Sequence, residues 1–394
     1  MDGSLAFPDY QRTRTFAALD GVRALAVLWV LAFHCAPSTL GLQFLRHHGD
    51  LGVDVFFVLS GFLITTLLLR EPPAPLGAQL GRFYMRRSLR IFPLYYGAVL
   101  LYWGAAHVAR SDGSVAEYQR FLPSLLLYWS DWYLAFRPDA HPPFVQAWSL
   151  AVEEKFYLLW PFAVLLWPRH ALRLAAVGIL AVIGWRAVVA AGGATEARLY
   201  YPFELRLDAL LWGAVLAALL HGERGFAAVR HAARPAVFWT AALGLAATAL
   251  WSTNAEPWRY VAVPLVTAVL LAGVVLRPSM PGAGLLRLAP LQFVGRVSYG
   301  VYVLHPLCIS AAQRVVQKLG LPDDGLFEFA LGAPLSVAAA WVSFRWFEQP
   351  FLRLKERFRT APPSAASAAP VAPADRTAAA QQQAQAREQP ARVE

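Results

Sequence analysis

The chain has 394 residues, of which 57% are hydrophobic and 15% charged, and its mean hydropathy is +0.43. This composition is typical of a polytopic membrane protein and argues against an ordinary soluble domain. The net charge of +10 does not indicate nucleic-acid binding, because the arginines cluster in short connections between apolar segments, where they orient a membrane protein. The two cysteines, Cys35 and Cys308, both lie in apolar segments, which argues against a disulfide framework or a zinc site. We expect no bound metal.

The apolar segments predict an all-α fold, a transmembrane bundle of about ten helices. In chain order these are 17–36, 51–69, 91–109, 147–167, 171–191, 204–221, 235–251, 259–276, 292–316 and 326–346. The segment 121–136 is apolar but short, because Asp131 and Arg137 close it, so we expect it to be re-entrant or interfacial. Counting it as a span would move the later basic connections to the outer side, so the positive-inside rule favours ten.

The chain divides into three parts. Residues 1–16 are polar and basic, carry no cleavable signal pattern and are expected in the cytoplasm. The transmembrane domain covers 17–352, and residues 353–394 begin basic and then become rich in Ala, Pro, Gln and Ser, which predicts a disordered cytoplasmic tail. With ten spans, both termini face the cytoplasm of a bacterial inner membrane, and no second globular domain is expected.

The first predicted helix carries two ionisable residues, Arg23 and His34, which are eleven residues apart. Eleven residues make about three helical turns, so both side chains share one face, about 16 Å apart along the axis. Ionisable residues in membrane helices are costly and mark functional sites. A neutral imidazole accepts a proton near pH 7, so His34 is the candidate general base; hydrogen bonding between helices is the structural alternative. Cys35 faces about 100° away, which argues against a Cys–His dyad.

Three further polar residues are predicted at the depth of His34, towards the outer side. Asp54 lies near the outer end of the second span, and Ser149 and Glu153 lie four residues apart on one face of the fourth span. An adjacent carboxylate fixes the tautomer of a catalytic histidine and stabilises its cation. We therefore expect Asp54 or Glu153 to orient His34.

A cationic site is predicted at the inner level. Arg87 and Arg90 are three residues apart on one helix face, and Arg23 lies at the same depth. Guanidinium groups recognise phosphate oxygens in bidentate fashion. The three arginines together predict a site for an anionic cytosolic ligand; the alternative is that they only enforce topology.

Four residues are weaker candidates for contact with substrate. Arg206 and Asp208 begin the sixth span at the outer level, where a structural ion pair would explain them equally well. Tyr302 and His305 lie in the ninth span next to Pro306, which removes a backbone donor and predicts a kink. His305 either lines the cavity or has a structural role.

Six motifs, in this order, resemble the membrane-bound acyltransferase-3 family: 19–23 with His34, 52–64, 87–93, 148–157, 298–306 and 348–350. The resemblance implies a ten-helix O-acyltransferase that moves an acyl group, commonly acetyl from acetyl-CoA, to a hydroxyl of a carbohydrate-type acceptor. Such acceptors include surface polysaccharides, peptidoglycan, lipo-oligosaccharides and macrolides. It implies that His34 is the catalytic histidine, that Arg23 is its motif partner, and that Arg87 and Arg90 bind acyl-CoA.

The chain departs from the family pattern in two places and in its extent. Lys155 and Ala151 stand where Gln and Ser are usual, and neither has a proposed role. The hydrolase-like domain that is fused to some members is not seen, so we expect a membrane-only enzyme. Direct transfer and a covalent acyl-enzyme relay both stay open.

Two other classes of function stay open. A transporter or flippase for a glycan or small molecule would use buried His, Asp and Glu as proton relays. Against it, the sequence has no evident inverted repeats with interrupted helices. A non-catalytic scaffold or receptor would not require Arg23 and His34 in helical phase.

Overall fold

A computed structural model of the chain describes residues 4–13, 15–35, 49–108, 112–251, 257–322 and 325–358. Every regular element in these ranges is helical, which confirms the predicted all-α class. The predicted disordered tail lies outside the described residues from 359 onwards, and so does the segment 36–48 that follows the first span.

The first half of the described chain is dominated by long apolar helices that alternate with short connecting ones. They are α1 (Phe7–Arg12), α2 (Ala17–Cys35), α3 (Asp50–Leu69), α4 (Leu76–Val108), α5 (Asp112–Leu126), α6 (Ser130–Ala135) and α7 (Ala147–Leu166).

The second half continues in the same way. The helices are α8 (Ala171–Ala191), α9 (Glu196–Tyr200), α10 (Phe203–His221), α11 (Glu223–Ala232), α12 (Pro235–Trp251), α13 (Arg259–Leu276), α14 (Ala289–Lys318), α15 (Leu326–Val342) and α16 (Gln349–Glu356). A π-helical stretch, Ser343–Glu348, joins the last two.

Six segments of the described chain are long and apolar enough to cross a membrane, which makes this a multi-pass membrane protein. They are Ala17–Cys35, Leu51–Leu69, Leu76–Val108, Pro168–Ala191, Arg259–Leu276 and Leu326–Glu356. The other four predicted spans correspond to α7, α10, α12 and α14. Of these, α12 is shorter, whereas α7 and α10 each contain three charged residues. The number of about ten crossings therefore stays a prediction.

The segment 121–136 contains the end of α5 and all of α6, with a break between them. Tyr128, in the break, has a positive φ of 54°. Lys155 of α7 donates hydrogen bonds to the Tyr128 carbonyl at 2.7 Å and to the Asp131 carboxylate at 2.6 Å. Asp131, which the sequence analysis treated as the polar end of the segment, is fully buried in this ion pair. Lys155 therefore fixes the segment against α7.

Two of the central helices, α3 and α10, cross at glycines. A Cβ atom on Gly61 would lie 1.8 Å from the Leu210 carbonyl oxygen, and one on Gly213 would lie 2.0 Å from the Val58 carbonyl oxygen. Small residues let membrane helices approach to backbone contact. This close crossing brings the polar side chains of α3 and α10 within bonding distance of each other.

Several connections that are predicted to be cytoplasmic meet at one end of the bundle. Arg70, at the end of α3, donates to the Thr13 carbonyl at 2.7 Å. The Leu5 N–H donates to the carbonyl of Leu276, the last residue of α13, at 2.8 Å. The N-terminal segment thus lies against the ends of both helices, as the predicted alternation of spans requires.

Candidate active site

His34, in the last turn of α2, faces His305 of α14. The two ring centroids are 4.8 Å apart, with an angle of 51° between the ring planes. His305 is fully buried, whereas His34 is exposed. In the sequence the two histidines are separate candidates, on the first and ninth predicted spans. The packing of α14 against α2 makes them neighbours, and we call them the histidine pair.

The hydrogen bonding of His305 defines its tautomer. Its Nδ1 lies 2.8 Å from the Tyr302 carbonyl oxygen, which can only accept, so Nδ1 carries the hydrogen and donates. Nε2 is then an acceptor, and this buried atom has no hydrogen-bond partner among the described residues. His305 therefore offers one lone pair inside the bundle, beside His34.

Ser149 is connected to the histidine pair through Tyr302. The Ser149 and Tyr302 hydroxyl oxygens are 2.6 Å apart, and both side chains are buried. The Tyr302 ring centroid lies 5.9 Å from that of His305. Ser149 was expected at the level of His34, and the connection runs through a residue that the sequence analysis ranked as a weaker candidate.

Glu153 accepts a hydrogen bond from Ser60 of α3. The Ser60 hydroxyl donates to the Glu153 carboxylate at 2.5 Å and lies 2.9 Å from the Tyr157 hydroxyl. Glu153 and Tyr157 are one and two turns farther along α7 than Ser149. Sequence reasoning missed Ser60, although a hydroxyl six residues after Asp54 in the same apolar span was a usable signal.

The polar residues of α3, α7 and α14 thus form a series that we call the polar track. Its members are His305, Tyr302, Ser149, Glu153, Ser60 and Tyr157. Glu153 lies one helical turn after Ser149 on α7, which links the two halves of the series. The track begins at the histidine pair and ends at Tyr157.

Three arginines surround the Tyr157 end of the polar track. The Arg87 guanidinium lies over the Tyr157 ring, 5.3 Å from its centroid, and interacts electrostatically with Arg90 and Glu153. Arg23 forms an ion pair with Asp20 at 2.5 Å and interacts with Arg90 and Tyr157. The structure therefore brings Arg23, Arg87 and Arg90 together, and we call them the arginine group.

The Asp54 carboxylate forms a buried ion pair with Arg206. The sequence predicts that Asp54 or Glu153 orients His34, and this stays a prediction; in the structure the charge of Asp54 balances a guanidinium on α10. Aromatic rings enclose that guanidinium, with centroids 5.0 to 5.9 Å from its central carbon: Phe57, Trp148, Tyr200 and Tyr260. Asp54 and Arg206 thus connect α3 and α10 at a buried, charged contact.

Asp208 forms its ion pair with Arg186 of α8, at 2.8 Å. Sequence reasoning missed Arg186, which is the one cation in the apolar stretch 174–191 and was a usable signal of a buried partner. Cys35 and Cys308 are both buried and form no disulfide in the described ranges, and the Cys35 thiol donates to the Leu31 carbonyl. Within the described ranges, no cluster of three or more His, Cys, Asp or Glu side chains is placed to hold a metal ion.

Comparison with known proteins gives one family and several curated relatives. The family model described as an acyltransferase domain matches residues 16–345. A peptidoglycan O-acetyltransferase of Listeria monocytogenes is 28% identical over 363 residues, which cover 84% of this chain and 55% of that protein. A putative peptidoglycan O-acetyltransferase of Bacillus subtilis is 30% identical over 370 residues, covering 86% and 55%.

A putative O-acetyltransferase of Staphylococcus aureus strain COL is 27% identical over 369 residues, covering 89% of this chain and 59% of that protein. The chain therefore spans a little over half the length of these curated relatives. No solved structure matches the chain.

Proposed function

Because the chain belongs to the family of acyltransferase domains, we propose that it is an integral membrane O-acyltransferase that uses acyl-CoA and a carbohydrate-type acceptor. One observation supports the proposal most directly. The arginine group, which suits an anionic donor, lies at one end of the polar track, and the histidine pair, which can accept a proton, lies at the other. The relatives are named as O-acetyltransferases, two of them acting on peptidoglycan, which supports acetyl as the acyl group and a glycan as the acceptor.

The arginine group binds the phosphates of acyl-CoA at the cytosolic side. The ion pairs of the described residues support this assignment, because none of them involves Arg87 or Arg90. By contrast, Arg82 and Arg86, on the same helix, both pair with Glu71, at 3.0 and 3.2 Å. Guanidinium groups that make no ion pair in the described ranges suit a phosphate ligand.

His34 acts as the general base for the acceptor. Its imidazole takes the proton of a sugar hydroxyl that enters from the outer side, and the oxygen attacks the thioester carbonyl. The carbon–sulfur bond then breaks, and the proton passes from His34 to the leaving CoA thiolate. The pantetheine arm carries the thioester along α2, from the arginine group towards His34.

His305 orients His34 in this proposal. Nε2 of His305 makes no hydrogen bond in the described residues and lies on a ring 4.8 Å from that of His34, centroid to centroid. When the acceptor binds, this nitrogen takes up the N–H of one His34 nitrogen, which leaves the other nitrogen of His34 with its lone pair free to accept the substrate proton. Asp54 and Glu153 then act at a distance from the base: Asp54 neutralises Arg206, and Glu153 holds Ser60 near the arginine group.

The experiment is an assay of the purified full chain in detergent with acetyl-CoA and peptidoglycan fragments. We expect CoA release and an O-acetyl ester on the acceptor, detected by mass spectrometry. A transporter or flippase would form no ester, because detergent provides no second compartment. Absence of ester across a panel of carbohydrate acceptors, in protein that binds acetyl-CoA, would overturn the O-acyltransferase assignment. Acetyl-protein that accumulates without acceptor would instead indicate the relay route.

A further inference from the structure

A second cationic site lies at the C-terminal end of α11, apart from the polar track. It is a cavity of about 320 Å³ lined by Ala227, Arg230, His231, Arg234 and Arg277. All four polar side chains that line it are basic, and no carboxylate contributes to its wall.

The walls of this cavity are held by hydrogen bonds to the main chain. Arg277 is buried; its Nε donates to the Ala233 carbonyl and one terminal nitrogen donates to the Arg230 carbonyl at 3.3 Å. The Arg234 guanidinium lies 2.5 Å from a ring nitrogen of His231. Arg277 thus fixes the end of α11, and with it the position of the other basic side chains.

Two of the arginines that line the cavity, Arg230 and Arg234, make no ion pair in the described ranges. Like charges that converge on one cavity repel each other, and a bound anion would relieve that repulsion. The positive-inside rule accounts for arginines in this connection, but it does not require them to converge on a shared cavity.

Apolar side chains lie on both helices next to the cavity, α11 and α12. Phe226, on the inner face of α11, packs against Phe7, with ring centroids 5.2 Å apart. α12 begins directly after the basic residues, and its first turns expose large apolar side chains: Val237 is 41% exposed, Trp239 46% and Leu243 70%. The helix that directly follows Arg234 therefore presents exposed apolar side chains.

We propose that this cavity binds the phosphate head group of an anionic phospholipid, with the acyl chains lying along α12. Arg230 and Arg234 supply the guanidinium groups that contact the phosphate, and Arg277 frames the site. Basic pockets between membrane helices at the cytoplasmic side are suited to anionic head groups. The inference does not rest on the proposed acyltransferase activity, because none of these residues belongs to the arginine group or the histidine pair.

The test measures lipid binding to the purified full chain by native mass spectrometry, with phosphatidylglycerol compared against phosphatidylcholine. We expect preferential binding of phosphatidylglycerol, weakened about tenfold or more in the variant that combines Arg230→Ala and Arg234→Ala. Arg224→Ala is the matched control, because Arg224 is an exposed arginine of the same helix that does not line the cavity. Equal lipid binding by the double variant, or an equal loss in the control, would overturn the proposal.

Two further measurements separate the remaining outcomes. Displacement of the bound lipid by inorganic phosphate or CoA at millimolar concentration would mean that the cavity is a site for soluble phosphate compounds, which would also overturn the proposal. If the alanine double variant fails to fold, Arg230→Lys with Arg234→Lys keeps the charge but removes the bidentate geometry. That variant should retain the parent's melting temperature and bind phosphatidylglycerol several-fold more weakly.

Discussion

Asp54 of α3 and Arg206 of α10 form a buried ion pair between two helices that run in the same direction. Their side chains are 2% and 1% exposed, and seven residues farther along α3, Gly61 contacts the backbone of α10 at Leu210. Both contacts occur in the same order along α3 and α10: Asp54 meets Arg206, and Gly61 meets the later residue Leu210. The two helices are therefore parallel. The carboxylate that seemed the natural partner of a catalytic histidine thus belongs to the contact that holds two central helices together.

The first prediction concerns this ion pair. Asp54→Leu should lower the free energy of unfolding by about 3–5 kcal/mol, because it leaves the Arg206 guanidinium buried without its counter-charge. Thermal unfolding in detergent measures the loss. The matched variant Asp54→Leu with Arg206→Met should recover most of the stability, because it removes both charges. If Asp54→Leu melts like the parent and loses only turnover, Asp54 acts with His34 after all.

The second prediction concerns the base. His34→Ala should lower kcat for O-acetylation by roughly 10²–10⁴-fold, the usual contribution of a general base, while acetyl-CoA still binds. The control is His107→Ala. His107 is an exposed histidine of α4, and its hydrogen bond and its ring contact among the described residues are both with Trp103, one turn earlier. Both variants should be recovered from the membrane fraction, and both should elute as folded protein after extraction in detergent. Full turnover by His34→Ala would remove the base role from this residue.

The third prediction separates two roles of His305. His305→Asn keeps a donor for the Tyr302 carbonyl, where Nδ1 now lies, whereas His305→Gln presents its amide near the position of Nε2. If His305 positions His34 through Nε2, kcat should fall about tenfold or more in His305→Asn and be partly restored in His305→Gln. The KM for acetyl-CoA should stay constant in both. The opposite order of activity would assign His305 to the structure of α14 alone.

The fourth prediction concerns the donor. Arg87→Ala and Arg90→Ala should each raise the KM for acetyl-CoA by about tenfold or more, because each removes a charge-assisted bond of roughly 1.5–3 kcal/mol. Arg82→Ala is the control, since Arg82 already pairs with Glu71 at 3.0 Å. With a CoA analogue that lacks the 3′-phosphate, at least one of the two arginine variants should lose its defect. Donor affinity that is unchanged in both would leave these arginines with a topological role.

The fifth prediction concerns the crossing of α3 and α10 at Gly61 and Gly213. Gly213→Ala should destabilise the protein by about 1–3 kcal/mol or more, because the added methyl group overlaps the Val58 carbonyl of α3. Gly184→Ala, on α8, is the matched control, since its Cβ would meet no atom within 4 Å. The control should be neutral or slightly stabilising, as is usual for Gly→Ala inside a helix. Equal melting temperatures for the two variants would show that α3 and α10 tolerate a wider separation.

The sequence alone determined the helices and the faces on which the polar residues lie. A membrane span must satisfy its backbone within one helix, so length and apolarity locate it without knowledge of its neighbours. The helical period likewise put Arg23 and His34 on one face of α2, and Arg87 and Arg90 on one face of α4. These inferences needed only local information.

The partner of each polar side chain was decided only by the tertiary structure. Helical period tells which way His34 points, but not which helix packs there, so His305 on α14 was not recognised as its neighbour. For the same reason Asp54 and Glu153 were both expected near His34, whereas the packing of α10 and α3 engages them with Arg206 and Ser60. Contacts between helices depend on crossing angles and small residues at the crossings, and no single-helix pattern encodes those.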